Sequence, residues 1–84
     1  MEMKERIENL LGEVELELSD AMKKHKRLNS VHEAYAIILE ELDEFWEQVK
    51  LRRHARNTVA MKIELRQIAA MAVRTIVDCG LDME

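Results

Sequence analysis

The chain has 84 residues, no proline, two glycines, one cysteine and a formal net charge of −4; 48% of it is hydrophobic and 36% charged. That length holds one small domain, residues 1–84, which excludes a two-domain enzyme, and the mixture is globular rather than disordered. The acidic balance excludes a dedicated DNA or RNA binder, which needs a clustered positive field. No apolar run is long enough to span a bilayer.

The opening MEMKERIE alternates charges where a secretory leader needs an apolar run, so the chain is expected in the cytoplasm. The spacing then predicts a first helix over residues 2–26, with Ile7, Leu10, Leu11, Val14, Leu18, Ala21 and Met22 as one apolar stripe at three- and four-residue steps. It ends in the basic run Lys23 to Arg27, whose cations suit the negative end of the helix dipole, with a phosphate site as the lesser reading.

Ser30 and Glu33 have the spacing of a capping box and open a second helix, predicted over 31–53. Arg52 to Thr58 reads as the connection, with Asn57 or Thr58 as the next cap. At about 100° per residue, Val31, Ile38, Leu42, Phe45 and Val49 form its apolar face, with Glu40, Asp43 and Glu47 opposite as solvated surface. Tyr35 and Trp46 are expected in the core, since aromatics at helical spacing usually are. His32 has no second histidine or cysteine at metal spacing and is expected at the surface or in packing.

The third helix is predicted over 58–79, closed by Gly80 and followed by a tail, Leu81 to Glu84. It is apolar nearly all round, from Met61 to Val77, so two other helices of one chain cannot cover it. The expected fold is all-α, a three-helix chain assembling into an oligomeric helical bundle with this helix central. Cys79 cannot form an internal disulfide and reads as a small packing residue.

Three glutamates break these apolar faces. Glu41 projects between Ile37 and Phe45 and Glu44 lies at the edge beside Ile37, while Glu64 projects between Ile68 and Met71. Ionised groups facing an interior need a cation, an arginine or a proton. Hard oxygen ligands at i and i+3 on one helix, answered from a facing helix, suit Mg²⁺. Glu64, Gln67, Arg74 and Asp78 continue as a polar stripe, in which Arg74 either pairs with Asp78 or faces a phosphate.

The pair Glu41-x-x-Glu44, nineteen residues, then Glu64-x-x-Gln67, within SVHEAYAIILEELDEFWEQV and IELRQIAAMAV, resembles the MazG-like all-α nucleoside triphosphate pyrophosphohydrolase superfamily over about Ser30 to Asp78. The resemblance implies Mg²⁺-dependent hydrolysis of a nucleoside triphosphate to the monophosphate and pyrophosphate by a homodimer or homotetramer. It implies Glu41, Glu44 and Glu64 as metal ligands and catalytic groups, with Gln67 at the fourth ligand position, where the family pattern has aspartate. An amide oxygen still coordinates Mg²⁺ but brings no negative charge. Arg74, or a basic residue of Arg52 to Asn57, is then expected to grip the outer phosphates. The alternative is a non-catalytic helical oligomer or interaction module, with the carboxylates as a weak metal or nucleotide sensor or paired with arginines of a neighbouring chain.

Overall fold

A computed structural model describes residues 1–83 and is helical: α1 (Met3–Lys24), α2 (Val31–Val49), a single 3-10 turn (Arg53–Ala55) and α3 (Thr58–Asp78), with no strand among the described residues. Glu84 of the expected tail lies outside them. No helix is long and apolar enough to cross a membrane.

The caps explain where each helix begins and ends. The Ser30 hydroxyl accepts from the Glu33 N–H at 3.1 Å, one half of the expected capping box. The other half is replaced, because the Glu33 carboxylate accepts from the Asn29 side-chain amide at 2.8 Å instead of from the cap's backbone. The second helix stops at Val49, four residues short of Arg53. Its last carbonyl is taken by Arg56, which donates from Nη2 to Val49 O at 2.7 Å and, just past the helix, from Nε to Leu51 O at 3.1 Å. Asn57 caps α3, its Oδ1 accepting from Ala60 N at 3.0 Å. Gly80, at φ 65°, closes α3 in a Schellman arrangement, with Leu81 N donating to Ile76 O and Gly80 N to Val77 O.

Helix α3 is central within the chain. Helices α1 and α2 each pack on it and, among the described residues, not on each other. The resulting body is elongated, with a radius of gyration of 14.4 Å against about 12 Å for a compact domain of this length. Its buried hydrophobic core is small: Leu28, Ala34, Ala70 and Met71, with Ile37 and Ile38 packed against it.

The covered arc of α2 is rotated from the expected one. Ala34, Ile37, Ile38, Glu41, Phe45, Gln48 and Val49 are the residues turned inward, whereas Val31 and Leu42 are exposed. Tyr35 (67% exposed) and Trp46 (55%) join them on an outward apolar stripe, so neither aromatic is core. Ala34, the most buried side chain, lets α3 approach closely on its own side of α2, and that turns the aromatics out. On α1 the contact covers Val14, Leu18 and Ala21, while Ile7, Leu10, Leu11 and Met22 of the expected stripe stay exposed.

Candidate functional site

Because α1 and α2 touch only α3, a trough of about 570 Å³ runs between them. Gln67, Ala70, Met71 and Arg74 of α3 form its floor, and Glu17 and Ala21 of α1 face Ile37 and Glu41 of α2 across it. The α1–α2 connection, with His25, Lys26 and Arg27, closes one end. Its volume lies within the range of about 300–1,000 Å³ usual for small-molecule sites.

The three glutamates singled out by spacing are near enough to act on one another, and Glu41 among them lines the trough. One oxygen of Glu41 and one of Glu64 are enclosed and have no hydrogen-bond partner. Burial raises the pKa of Glu41 above its ordinary 4.5, and the negative charges of Glu64, Glu44, Glu17 and Glu40 add to that. Burial likewise raises Glu64, helped by Glu44, whose carboxyl is near enough to share a hydrogen bond and repels its charge. Glu44 is the solvent-facing member of the set, and Glu40, Asp43 and Glu47 lie on the exposed side of α2. The rotation of α2 places Glu41 near the middle of the covered arc rather than at its margin, between Ala34 and Gln48 on the helical wheel.

Spacing alone does not single out Glu17. It lines the trough opposite Glu41 and contributes to the negative field there. Its one sequence signal is a place on the flank of the Val14–Leu18–Ala21 stripe. Glu13, one turn earlier, is matched by Lys62 Nζ at 3.2 Å and Arg66 Nη1 at 3.5 Å, whereas no cation stands against Glu17 among the described residues. Arg66 is thereby engaged with α1 of its own chain.

At the other end Arg74 is buried, 6% exposed, and lies on the trough floor. Its Nη2 donates to Lys26 O at 2.6 Å, and its Nε lies 3.3 Å from Asp78 Oδ2. The expected pair with Asp78 is therefore formed, and Arg74 also ties α3 to the α1–α2 connection. Asp78 Oδ2 accepts from Leu28 N at 3.0 Å, and Arg27 Nε donates to Asp78 O at 2.8 Å.

The basic residues of Arg52 to Asn57 do not line the trough. Arg56 is occupied with the end of α2, and Arg52, Arg53 and His54 are exposed. The cations that do line the trough are Lys26 and Arg27, in the basic run whose sequence reading is dipole capping first and a phosphate site second. His32, Tyr35 and Trp46 are exposed and outside the trough. Cys79 is half-buried as the C-cap of α3.

Chemically, the arrangement is a trough with surplus negative charge at one end and cations at the other. Hard carboxylate oxygens that are enclosed, unpartnered and mutually repelling fit a divalent cation of the Mg²⁺ type. As the side chains stand, no group of three or more His, Cys, Asp or Glu among the described residues is close enough together to hold an ion. Gln67 lines the trough with a neutral amide that both donates and accepts. Comparison with protein-family models, with curated proteins and with solved structures finds no match for the chain.

Proposed function

We propose that this chain is a Mg²⁺-dependent nucleoside triphosphate pyrophosphohydrolase of the MazG-like kind, working in the cytoplasm as a homodimer or homotetramer. One observation carries the reading: carboxylates from two helices, Glu41 and Glu44 of α2 and Glu64 of α3, lie near enough to repel one another, Glu41 lines a trough of nucleotide scale, and one oxygen each on Glu41 and Glu64 is enclosed and unpartnered. Uncompensated charge of that kind persists in folded proteins chiefly where a ligand or proton answers it.

Glu41, Glu44 and Glu64 would hold the ion. When bound, Mg²⁺ supplies Lewis-acid polarisation of phosphate oxygens and a more acidic water. The chain's own residues do the rest. Water adds to phosphorus, the bridge between the α- and β-phosphates breaks, pyrophosphate leaves, and a carboxylate of the cluster takes the proton. Raised pKa values make Glu41 and Glu64 better proton acceptors than an ordinary carboxylate. Gln67 orients by its amide and brings no charge. Arg74 gives the far end of the trough a fixed positive field, with Lys26 and Arg27 at its rim as the phosphate-facing cations.

The test is isothermal titration of Mg²⁺ into the protein with and without a non-hydrolysable nucleoside triphosphate, comparing wild type with Glu64→Gln. Nucleotide heat that requires both Mg²⁺ and Glu64 is expected. Absence of heat in both titrations overturns the reading and favours the second one, a non-catalytic helical oligomer or interaction module. The observation on that side is Gln67, which leaves the cluster one charge short of the family's pattern, together with carboxylates that do not converge as a ligand set among the described residues.

A further inference from the structure

Glu17 is the carboxylate that α1 brings to the trough, and none of the chemistry above uses it. It is half-buried on the wall that faces Glu41. The charge of Glu17 raises the Glu41 pKa by more than does the charge of Glu40, although Glu40 is next to Glu41 in the chain. Coulombic influence falls with distance and with intervening water, so Glu17 acts on Glu41 from close by, across the trough.

The cations of α3 do not answer it. Lys62 and Arg66 both go to Glu13, one turn earlier, and no cation stands against Glu17 among the described residues. Asp20, about one turn later, is exposed and outside the trough. Along α1, then, Glu13 is ion-paired and Asp20 is solvated, whereas Glu17 between them faces Glu41, whose enclosed oxygen has no partner either.

With Mg²⁺ entering the carboxylate set as proposed above, a reading on which this step rests, we infer that Glu17 is a further Mg²⁺-binding residue, holding from α1 the ion that Glu41, Glu44 and Glu64 hold from α2 and α3. Two carboxylates on opposite walls repel each other, and a divalent cation between them draws both charges toward one centre. Gln67 on the trough floor offers only a neutral oxygen, so Glu17 supplies negative charge that the floor does not. Because α1 and α2 do not pack on each other among the described residues, a shared ion links them directly.

Calorimetric titration of Mg²⁺ alone into the full chain at neutral pH tests this without reference to activity. Glu17→Gln should weaken Mg²⁺ binding by about tenfold or more, the loss usual even for groups that only orient a metal's ligands. Asp20→Asn removes the same charge from the exposed side of α1 and should change the affinity by less than about twofold, since a solvated charge is screened. Glu17→Asp keeps the charge and withdraws it by a methylene group; a residue that holds the ion loses affinity there, whereas one that contributes only a field does not. Circular dichroism checks that each variant is folded, and Glu17→Asp carries the test should Glu17→Gln unfold. If Glu17→Gln binds like Asp20→Asn while Glu64→Gln has lost the ion, or if Glu17→Asp binds like wild type, the role of Glu17 is overturned and the metal reading stands. A wild type that gives no heat with Mg²⁺ overturns both together.

Discussion

Arg74 and Asp78 form a buried ion pair one turn apart at the end of α3, with Nε 3.3 Å from Oδ2, and each also reaches across to the α1–α2 connection, Arg74 to Lys26 O and Asp78 to Leu28 N. The end of α3 and the α1–α2 connection thus meet at one pair of opposite charges. Since α1 and α2 do not pack on each other, this junction is what fixes the closed end of the trough.

Removing one partner should therefore cost far more than a surface pair would. Asp78→Ala leaves the buried Arg74 without its counter-charge and the Leu28 N–H without its acceptor, and a loss of about 3 kcal/mol is expected. Urea unfolding at one fixed protein concentration measures it, since any association makes stability concentration-dependent. A loss under about 1 kcal/mol would mean that the junction is solvated in solution.

Glu41 and Glu64 contribute a pH dependence of stability opposite in sign to that of an ion-paired carboxylate. Glu41 and Glu64 have native pKa values raised above 4.5, so the native state binds more protons than the unfolded one between 4.5 and the raised values. Stability contributed by these groups is fully present below 4.5 and is lost as pH rises through the raised values. Without Mg²⁺, Glu41→Gln should be more stable than wild type at pH 7, and the difference should shrink toward pH 4.5. Thermal unfolding at several pH values checks this; a variant less stable than wild type at pH 7 would show that a cation of the chain compensates Glu41.

Most helix limits and caps are legible in the sequence because they depend on residues within one turn: Ser30, Asn57 and Gly80 act where local chemistry puts them. The end of α2 is not, since it is set by Arg56, which reaches back seven residues to Val49 O. The cluster of Glu41, Glu44 and Glu64 is legible from spacing on two helices. Glu17 is not, because its place depends on how α1 lies across α3, and nothing local to α1 encodes that. The aromatics mislead for a related reason. Tyr35 and Trp46 share one stripe of α2 with Val31 and Leu42, and only the buried position of Ala34 tells which of two apolar arcs faces α3.

Arg56 makes a smaller, local prediction. Arg56→Ala removes two donors, from the last carbonyl of α2 at Val49 and from that of Leu51 just beyond it, which water can partly replace at this half-exposed site. About 1 kcal/mol of stability should be lost, with nucleotide affinity unchanged because Arg56 is outside the trough. Paired urea unfolding and nucleotide titration read both quantities. A large loss of nucleotide affinity with little loss of stability would return the Arg52 to Asn57 segment to the phosphate site.

Gln67 offers the most direct probe of the acidic end. It lies on the trough floor near Glu41, on the helix that carries Glu64, and a carboxylate there would add a fourth negative charge to the cluster. In the absence of metal, Gln67→Asp should destabilise the chain by about 1 kcal/mol, since like charges a few ångströms apart repel even when partly screened. With Mg²⁺ the same charge becomes favourable, and affinity for the ion should rise on the order of tenfold, equivalent to about 1.4 kcal/mol. The two effects have opposite signs only if a cation enters the cluster. Thermal unfolding with and without Mg²⁺ therefore separates a metal site from an acidic patch. Destabilisation that Mg²⁺ fails to reverse would leave the glutamates as proton-sharing structural groups and remove the ground for hydrolysis.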